Sequence, residues 1–248
     1  MIIKDNIKKI INFLGYDLKK ITSLFYNCFN SDLKFLNIDT VIDIGASKGN
    51  YAKNLRKNGY KNLIISIEPI LSDYNNLIHK SKNDKKWLIH ERCAIDNKNS
   101  KKKFYISKNF SSSSLLKIKS NHIKSDPNSK KILTKMINTQ TLEDIYKNYN
   151  LKNKNKNVYL KLDVQGNEKN ILDGGKKILK EFSAIEIELS TVSLYEQSKE
   201  YTYFVNFFKK KGFILYDIER VFFNKKKMQL LQFNALFVNK DKYKNIIK

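Results

Sequence analysis

The sequence predicts a doubly wound α/β domain with a mostly parallel sheet, and three observations carry that expectation. Short apolar runs alternate with helical patterns from residue 40 onward, a glycine-bearing turn (DIGASKG) joins the first run to the first helix, and two strand patterns close the chain around a polar turn. Thr40–Ile44 and Leu63–Ile67 read as buried strands, with helices near Lys48–Lys57 and Ile70–Lys80 completing a βαβ rhythm. A third strand is expected at Trp87–Glu91, a fourth at Val158–Asp163 and a fifth at Ala184–Leu189, the last two separated by a helix over Asn167–Leu179. Tyr201–Lys211 reads as a helix stopped by Gly212. Phe213–Ile218 and Ala235–Val238 then flank a polar turn at Asn224–Lys227, which predicts an antiparallel hairpin at one sheet edge and brings the expected sheet to seven strands.

Composition bounds the rest. A chain of 248 residues with 41% hydrophobic content can bury the core of one domain. Its net charge of +24 would favour a polyanionic partner, because basic surfaces release counterions on binding. Arginine, the residue suited to bidentate phosphate and guanine contacts, occurs only at Arg56, Arg92 and Arg220, while lysine is spread through every segment. The charge is therefore a bias of the whole chain, and a nucleic-acid partner is disfavoured. Cys28 and Cys93 are isolated, which suggests neither a disulfide framework nor a structural zinc site and fits a reducing, cytoplasmic setting.

Apolar residues at Ile3, Ile7, Ile10, Leu14, Leu18, Ile21, Phe25 and Cys28, with lysines between them, predict an amphipathic N-terminal helix. It either packs on protein or lies on the anionic inner face of a membrane; it is too interrupted by lysine for a signal peptide. The expected organisation is a helical extension over 1–36 and one domain over 37–248. Within that domain, 96–157 reads as a long irregular insertion with a strand-helix signal only at Met136–Lys147, and it is expected to cover the substrate.

The turn after the first strand carries the chemistry. A dinucleotide fingerprint requires G-x-G-x-x-G and a phosphate loop requires G-K-[ST]; here Gly45 and Gly49 enclose Ala46, Ser47 and Lys48, so neither fits. An acidic strand end, Asp43, with G-x-x-x-G suits a cofactor that has an amino-acid end and a ribose but no phosphate, and S-adenosylmethionine is one. Glu68 then ends the second strand where a carboxylate accepts hydrogen bonds from ribose hydroxyls. The expected cofactor site comprises Asp43, Gly45, Ala46, Gly49, Asn50, Glu68 and Asp163, with Cys93 and Ala94 near an adenine ring.

At this point the chain resembles the FkbM-type methyltransferase family over roughly Val41–Val238. The pieces are DIGASKGNYA (Asp43–Ala52), IEP (Ile67–Pro69), Ala94–Asp96, SSSSLL (Ser111–Leu116), TLEDI (Thr141–Ile145), LKLDVQGNEKNILDGG (Leu160–Gly175), IEIELS (Ile185–Ser190), LYE (Leu194–Glu196) and QFNALFV (Gln232–Val238). Their order and spacing make the match specific. The family often carries Glu where this chain has Gln165. The resemblance implies a Rossmann-like class I methyltransferase fold and O-methylation of hydroxyls, commonly on sugars of glycolipids, surface polysaccharides or secondary metabolites.

An alcohol acceptor must lose its proton, which calls for a base within hydrogen-bond reach. Asp163 at the fourth strand end, Glu188 at the fifth and His122 in the insertion are the candidates. Ser112, Ser113 and Ser114, with Glu168, are expected near the acceptor. Asp163, Glu168 and Glu188 have no spacing that establishes a metal site. Two other readings stay open: an RNA 2′-O-methyltransferase, encouraged by the net charge and by Lys161 beside Asp163, and a non-catalytic scaffold of the same fold. The acceptor is a small molecule or glycan; oligomeric state is not legible.

Overall fold

The computed structural model describes residues 33–152, 156–224 and 227–244, together with Ile11, Phe13 and Leu14. Apart from those three residues the expected N-terminal amphipathic helix lies outside the described residues, as do Cys28 and the centre of the polar turn at Asn224–Lys227. Among the described residues, no helix is long and apolar enough to cross a membrane.

The sheet begins as the periodicity predicts. β1 (Thr40–Ile44) leads through a turn into α1 (Asn50–Lys57), β2 (Leu63–Ile67) into α2 (Leu71–Ser81), and β3 (Trp87–Ile89) follows. β1 and β2 are short, apolar and buried on both faces, as parallel strands flanked by helices must be, while the edge strand β3 leaves Leu88 exposed. After the intervening segment come β7 (Val158–Leu162), α5 (Glu168–Gly174), β8 (Phe182–Ser190), α6 (Tyr201–Lys210), β9 (Phe213–Asn224) and β10 (Gln229–Asn239). The helix expected to reach Leu179 stops at Gly174, and a 3-10 turn at Leu179–Glu181 leads into β8.

The seven strands are ordered β3-β2-β1-β7-β8-β10-β9. β1, β2, β3, β7 and β8 are parallel, and β10 runs antiparallel between β8 and the edge strand β9. Alternation along the strands separates two cores. Ile42, Ile65, Leu160 and Ile185 face one side with α5 and α6; Val41, Ile64, Tyr159 and Ala184 face the other with α1 and α2. Leu33 and Leu36, which the sequence reading groups with the N-terminal extension, pack into the second core, and the Tyr243 hydroxyl donates to the Leu36 carbonyl at 2.6 Å.

The segment expected to be irregular is not. β4 (Ala94–Asp96), β5 (Ser100–Ser107) and β6 (Lys131–Thr141) form a second, three-stranded sheet in the order β4-β6-β5, with α3 (Ser120–Ser125) and α4 (Leu142–Asn148) attached. Its strands are polar because little of them is buried. Only Phe104 and Ile106 of β5 and Ile137 of β6 reach a small core shared with Ile70 and Ala94, while Lys101 and Lys103 face solvent and Lys102 pairs with the buried Asp96. That core, with Phe110 and Leu115 against it, braces the wall of the cavity described next.

Candidate active site

β1 and β7 are neighbours in the sheet but far apart in the chain, so the strand order reverses between them and their C-terminal ends open a crevice. The turn after β1 lies flat in that crevice. Gly45 N and Ala46 N both donate to the Ile67 carbonyl at 3.1 Å, and Asp163 N donates to the Ile44 carbonyl at 3.1 Å. Gly45 has φ of +81°, and a Cβ there would stand 1.9 Å from the Asp163 carbonyl oxygen. Above it opens a cavity of about 380 Å³.

One end of the cavity is bounded by the turn, by β2 and by the Cys93–Ile95 strip. Glu68 is buried there and held at both oxygens: Ser47 N donates to Oε2 at 2.8 Å and Ile70 N to Oε1 at 2.7 Å. Burial pushes its carboxyl up to about 8, against the pull of those two amides. Burial likewise pushes the Cys93 thiol up to about 12, so it is an apolar wall atom beside Ala94 rather than a nucleophile.

Asp43, Ala46, Gly49 and Asn50, expected at the cofactor, are not in this wall. Gly49 packs against Leu77 and Trp87, where a Cβ would meet side-chain atoms at 2.7 and 2.9 Å. Asp43 is buried in a polar row that crosses the sheet. Register pairs Ser66 with Asp43, Asp43 with Lys161 and Lys161 with Glu186, so the four side chains stand side by side on one face. Lys161 Nζ lies 3.7 Å from Asp43 and 3.3 Å from Asp163, and sits over the Tyr51 ring at 5.0 Å. The Tyr51 and Tyr159 hydroxyls donate to Glu186 Oε2 at 2.9 and 2.8 Å. Burial alone would lower the Lys161 pKa, but Asp163, Asp43 and Glu186 hold it above its usual range.

The opposite wall gathers Asp163, Gln165, Glu188 and Gln232. Gln165 Nε2 donates to Asp163 Oδ1 at 3.0 Å and to Glu188 Oε2 at 2.6 Å, and Gln232 Nε2 donates to the same Glu188 oxygen at 2.6 Å. The Tyr195 hydroxyl lies 2.8 Å from Gln165 Oε1 and 3.1 Å from the Ser112 carbonyl. Burial, then Asp163 and Glu168, raise the Glu188 carboxyl well above the carboxylate range. Glu168 is behind the wall rather than in it: it is buried, and its Oε1 accepts from Gly166 N at 3.0 Å. Among the described residues, no three His, Cys, Asp or Glu side chains are grouped to hold a metal ion.

The serine loop is ordered by its own hydrogen bonds. Ser113 Oγ accepts from Ser107 N at 3.0 Å, Ser112 Oγ accepts from Asn109 Nδ2 at 2.9 Å, and Ser114 Oγ donates to the Val164 carbonyl at 3.3 Å. Ser112 and Ser113 line the cavity; Ser114 ties the loop to the turn after β7. His122, read in sequence as part of an irregular loop, is on α3 and 2% exposed. Its ring is edge-on to Tyr195 at 5.2 Å and tilted on Phe222 at 5.7 Å, and it lines the cavity.

The model of the methyltransferase FkbM domain matches residues 43–215, more than two thirds of the chain. The chain belongs to the FkbM methyltransferase family. A comparison with curated proteins returns no match. Among solved structures, it is similar to the methyltransferase domain of bacterial CtHen1-C, at 12% identity over 86% of this chain and 96% of that one, TM-score 0.45. A SAM-dependent methyltransferase from Aquifex aeolicus matches at 14% identity over 86% and 89%, TM-score 0.42. Aeropyrum pernix fibrillarin, solved with natively bound S-adenosyl-L-methionine, matches at 9% identity over 81% and 66%, TM-score 0.43. The family assignment rests on the domain model alone.

This FkbM methyltransferase uses S-adenosylmethionine. The cavity suits that cofactor: acids at Glu68 and Asp73 offer acceptors for hydroxyls, Cys93–Ile95 offers an apolar strip, and no phosphate-binding cation lines it among the described residues. Sequence reasoning missed Ser47, Asp73, Gln165, Gln232 and Tyr195. Ser47 and Gln165 carry a usable signal, since each sits in a glycine-flanked turn, and both have positive φ, +48° and +58°.

The buried acids make stability pH-dependent. Glu168 and Glu186 are both raised from 4.5 to about 7, mainly by burial. A carboxyl raised in the folded state stabilises the fold fully below its unfolded value and loses that contribution as pH rises through the folded value. We expect the cofactor-free protein to lose urea stability between pH 4.5 and 7, and Glu168→Gln to flatten that slope; an unchanged slope would place the Glu168 pKa near its ordinary value.

Proposed function

We propose that the protein is an O-methyltransferase whose acceptor is a sugar hydroxyl in a glycolipid, surface polysaccharide or related metabolite, with His122 as the base. The observation that carries this reading is the state of the three candidate bases. Asp163 has one oxygen on Lys161 and the other on Gln165. Glu188 is held toward its protonated form and takes two amide donors on one oxygen. His122 is different: burial lowers its pKa, with Asp126 opposing, so the ring is neutral at physiological pH. Its Nδ1 is buried and has no hydrogen-bond partner. A neutral imidazole with an open nitrogen is the group able to take a hydroxyl proton.

Bound in this cavity, S-adenosylmethionine supplies an electrophilic methyl group on a sulfonium. The protein's part is to align and dehydrate. Glu68 and the Cys93–Ala94 strip would hold the nucleoside end, Asp163 and Gly45 would flank the amino-acid end, and the serine loop would shield the bound cofactor from water. Phe222 beside His122 gives a sugar ring an apolar face to rest on, while Ser111 and Gln232 offer hydrogen bonds to its other hydroxyls. The absence of Lys and Arg from the wall, among the described residues, weighs against an RNA acceptor.

The test is transfer from tritiated S-adenosylmethionine to separated glycolipid, polysaccharide and RNA fractions of the source cells. Label in a glycan fraction is expected, and label confined to RNA would overturn the acceptor reading. His122→Asn is expected to keep cofactor affinity within about twofold while lowering turnover by about 10²–10⁴-fold. Full turnover in that variant would remove His122 as the base.

A further inference from the structure

The cofactor end of the cavity contains a second buried carboxylate that the family motifs do not mark. Asp73, in the first turn of α2, is 1% exposed and lines the cavity. It is coupled to Glu68 through one residue. Ser47 donates its backbone N–H to Glu68 Oε2 at 2.8 Å and its hydroxyl to Asp73 Oδ2 at 3.1 Å. Ser47 adopts a left-handed φ of +48°, a conformation uncommon for a residue with a side chain. That backbone conformation lets a single residue serve both acids.

The two carboxylates differ in what remains open. Glu68 accepts a backbone amide at each oxygen. Asp73 has one oxygen on Ser47 and the other, Oδ1, is buried with no donor at all. A buried acceptor without a donor is costly, and such a group in a cavity wall marks the place where a ligand supplies the missing hydrogen bond. A cation is not needed to explain it, since a vicinal diol brings two adjacent O–H donors to two adjacent carboxylates. The ribose of S-adenosylmethionine is the diol available here, and Asp73 stands beside the carboxylate at the end of β2, next to the strip suited to adenine.

We propose that Asp73 is a cofactor-binding residue, and that Glu68 and Asp73, bridged by Ser47, each take one hydroxyl of the cofactor ribose. This rests on the cofactor and not on the acceptor, so it holds or fails independently of sugar methylation.

The test uses calorimetric binding of 5′-methylthioadenosine and its 2′-deoxy and 3′-deoxy counterparts to the whole chain, with S-adenosylmethionine as reference. Asp73→Ala is expected to weaken 5′-methylthioadenosine and S-adenosylmethionine by about 10-fold or more. One deoxy compound should bind wild-type protein and Asp73→Ala equally, because the hydroxyl that Asp73 contacts is already missing. If Asp73→Ala weakens the ribo compound and both deoxy compounds by the same factor, Asp73 only positions Ser47 and the proposal is wrong. Unchanged binding of all three would also overturn it. Damage to the fold would scale all ligands together, and Asp73→Asn, which keeps an acceptor for the Ser47 hydroxyl, separates that case: the proposal requires Asn to reproduce the selective loss.

Discussion

Alanine at position 45 is expected to abolish detectable S-adenosylmethionine binding and to destabilise the protein by about 3 kcal/mol or more. Two costs combine. Residue 45 has φ of +81°, a backbone region where a Cβ is strained, and the ideal Cβ falls 1.9 Å from the Asp163 carbonyl oxygen and 2.9 Å from its carbon. The obstacle is backbone, so no side-chain rotation relieves it. The ends of β1 and β7 must separate, and that pair of strand ends is the floor of the cavity. At about 2–4 °C per kcal/mol for a chain of this size, the Tm should fall by about 6 °C or more. Gly59 provides the control: its φ is +92°, but a Cβ there would meet nothing within 4 Å, so Gly59→Ala should cost about 1–2 kcal/mol and leave cofactor affinity unchanged. Equal effects at the two positions, measured by calorimetry and thermal unfolding, would show that backbone strain alone matters and that the Gly45 contact does not.

The contrast also explains what could be read from the sequence. Gly45 sits in a strand-turn-helix pattern whose letters announce a close approach, and the acids just after β2 and β7 follow runs so apolar that a buried parallel strand was the natural expectation. The second sheet had no such pattern. β5 and β6 bury only a few side chains, and their lysine-rich exposed faces erase the alternation that would have marked them. His122 was a candidate base in the sequence, but its burial was illegible for a different reason. Its burial depends on Tyr195 and Phe222, which reach it only because the β8–α6 connection and β9 pass over the serine loop. Asp43 shows the opposite failure: its position was clear, but its partner Lys161 is contributed by the neighbouring strand in register, and a pairing across β1 and β7 is invisible until their order is known. The same holds for Asp73, which reads as an ordinary first-turn acid until Ser47 is placed beside it.

Lys161→Met should be the most destabilising change away from the turn, at about 3–5 kcal/mol. Lys161 is the cation facing three acids, and burial of the whole row leaves water unable to replace it. Its loss strands Asp43, which is fully buried and keeps only a Ser66 hydroxyl at 3.5 Å, while Asp163 remains half-exposed with Gln165 and Glu186 keeps its two tyrosines. Asp43 is therefore where the deficit arises. Burial already raises the Asp43 pKa and Lys161 opposes that rise; the same opposition operates at Glu186. Removing the lysine raises both further, so both acids contribute stability at low pH that is lost as pH increases. The deficit measured by urea unfolding should accordingly be larger at pH 8 than at pH 5. Asp43→Asn in the Lys161→Met background should recover much of it, because a neutral amide can stay buried against Ser66 where a carboxylate cannot. If the double variant were no more stable than Lys161→Met, the lysine would be acting through contacts other than Asp43, such as its ammonium over the Tyr51 ring.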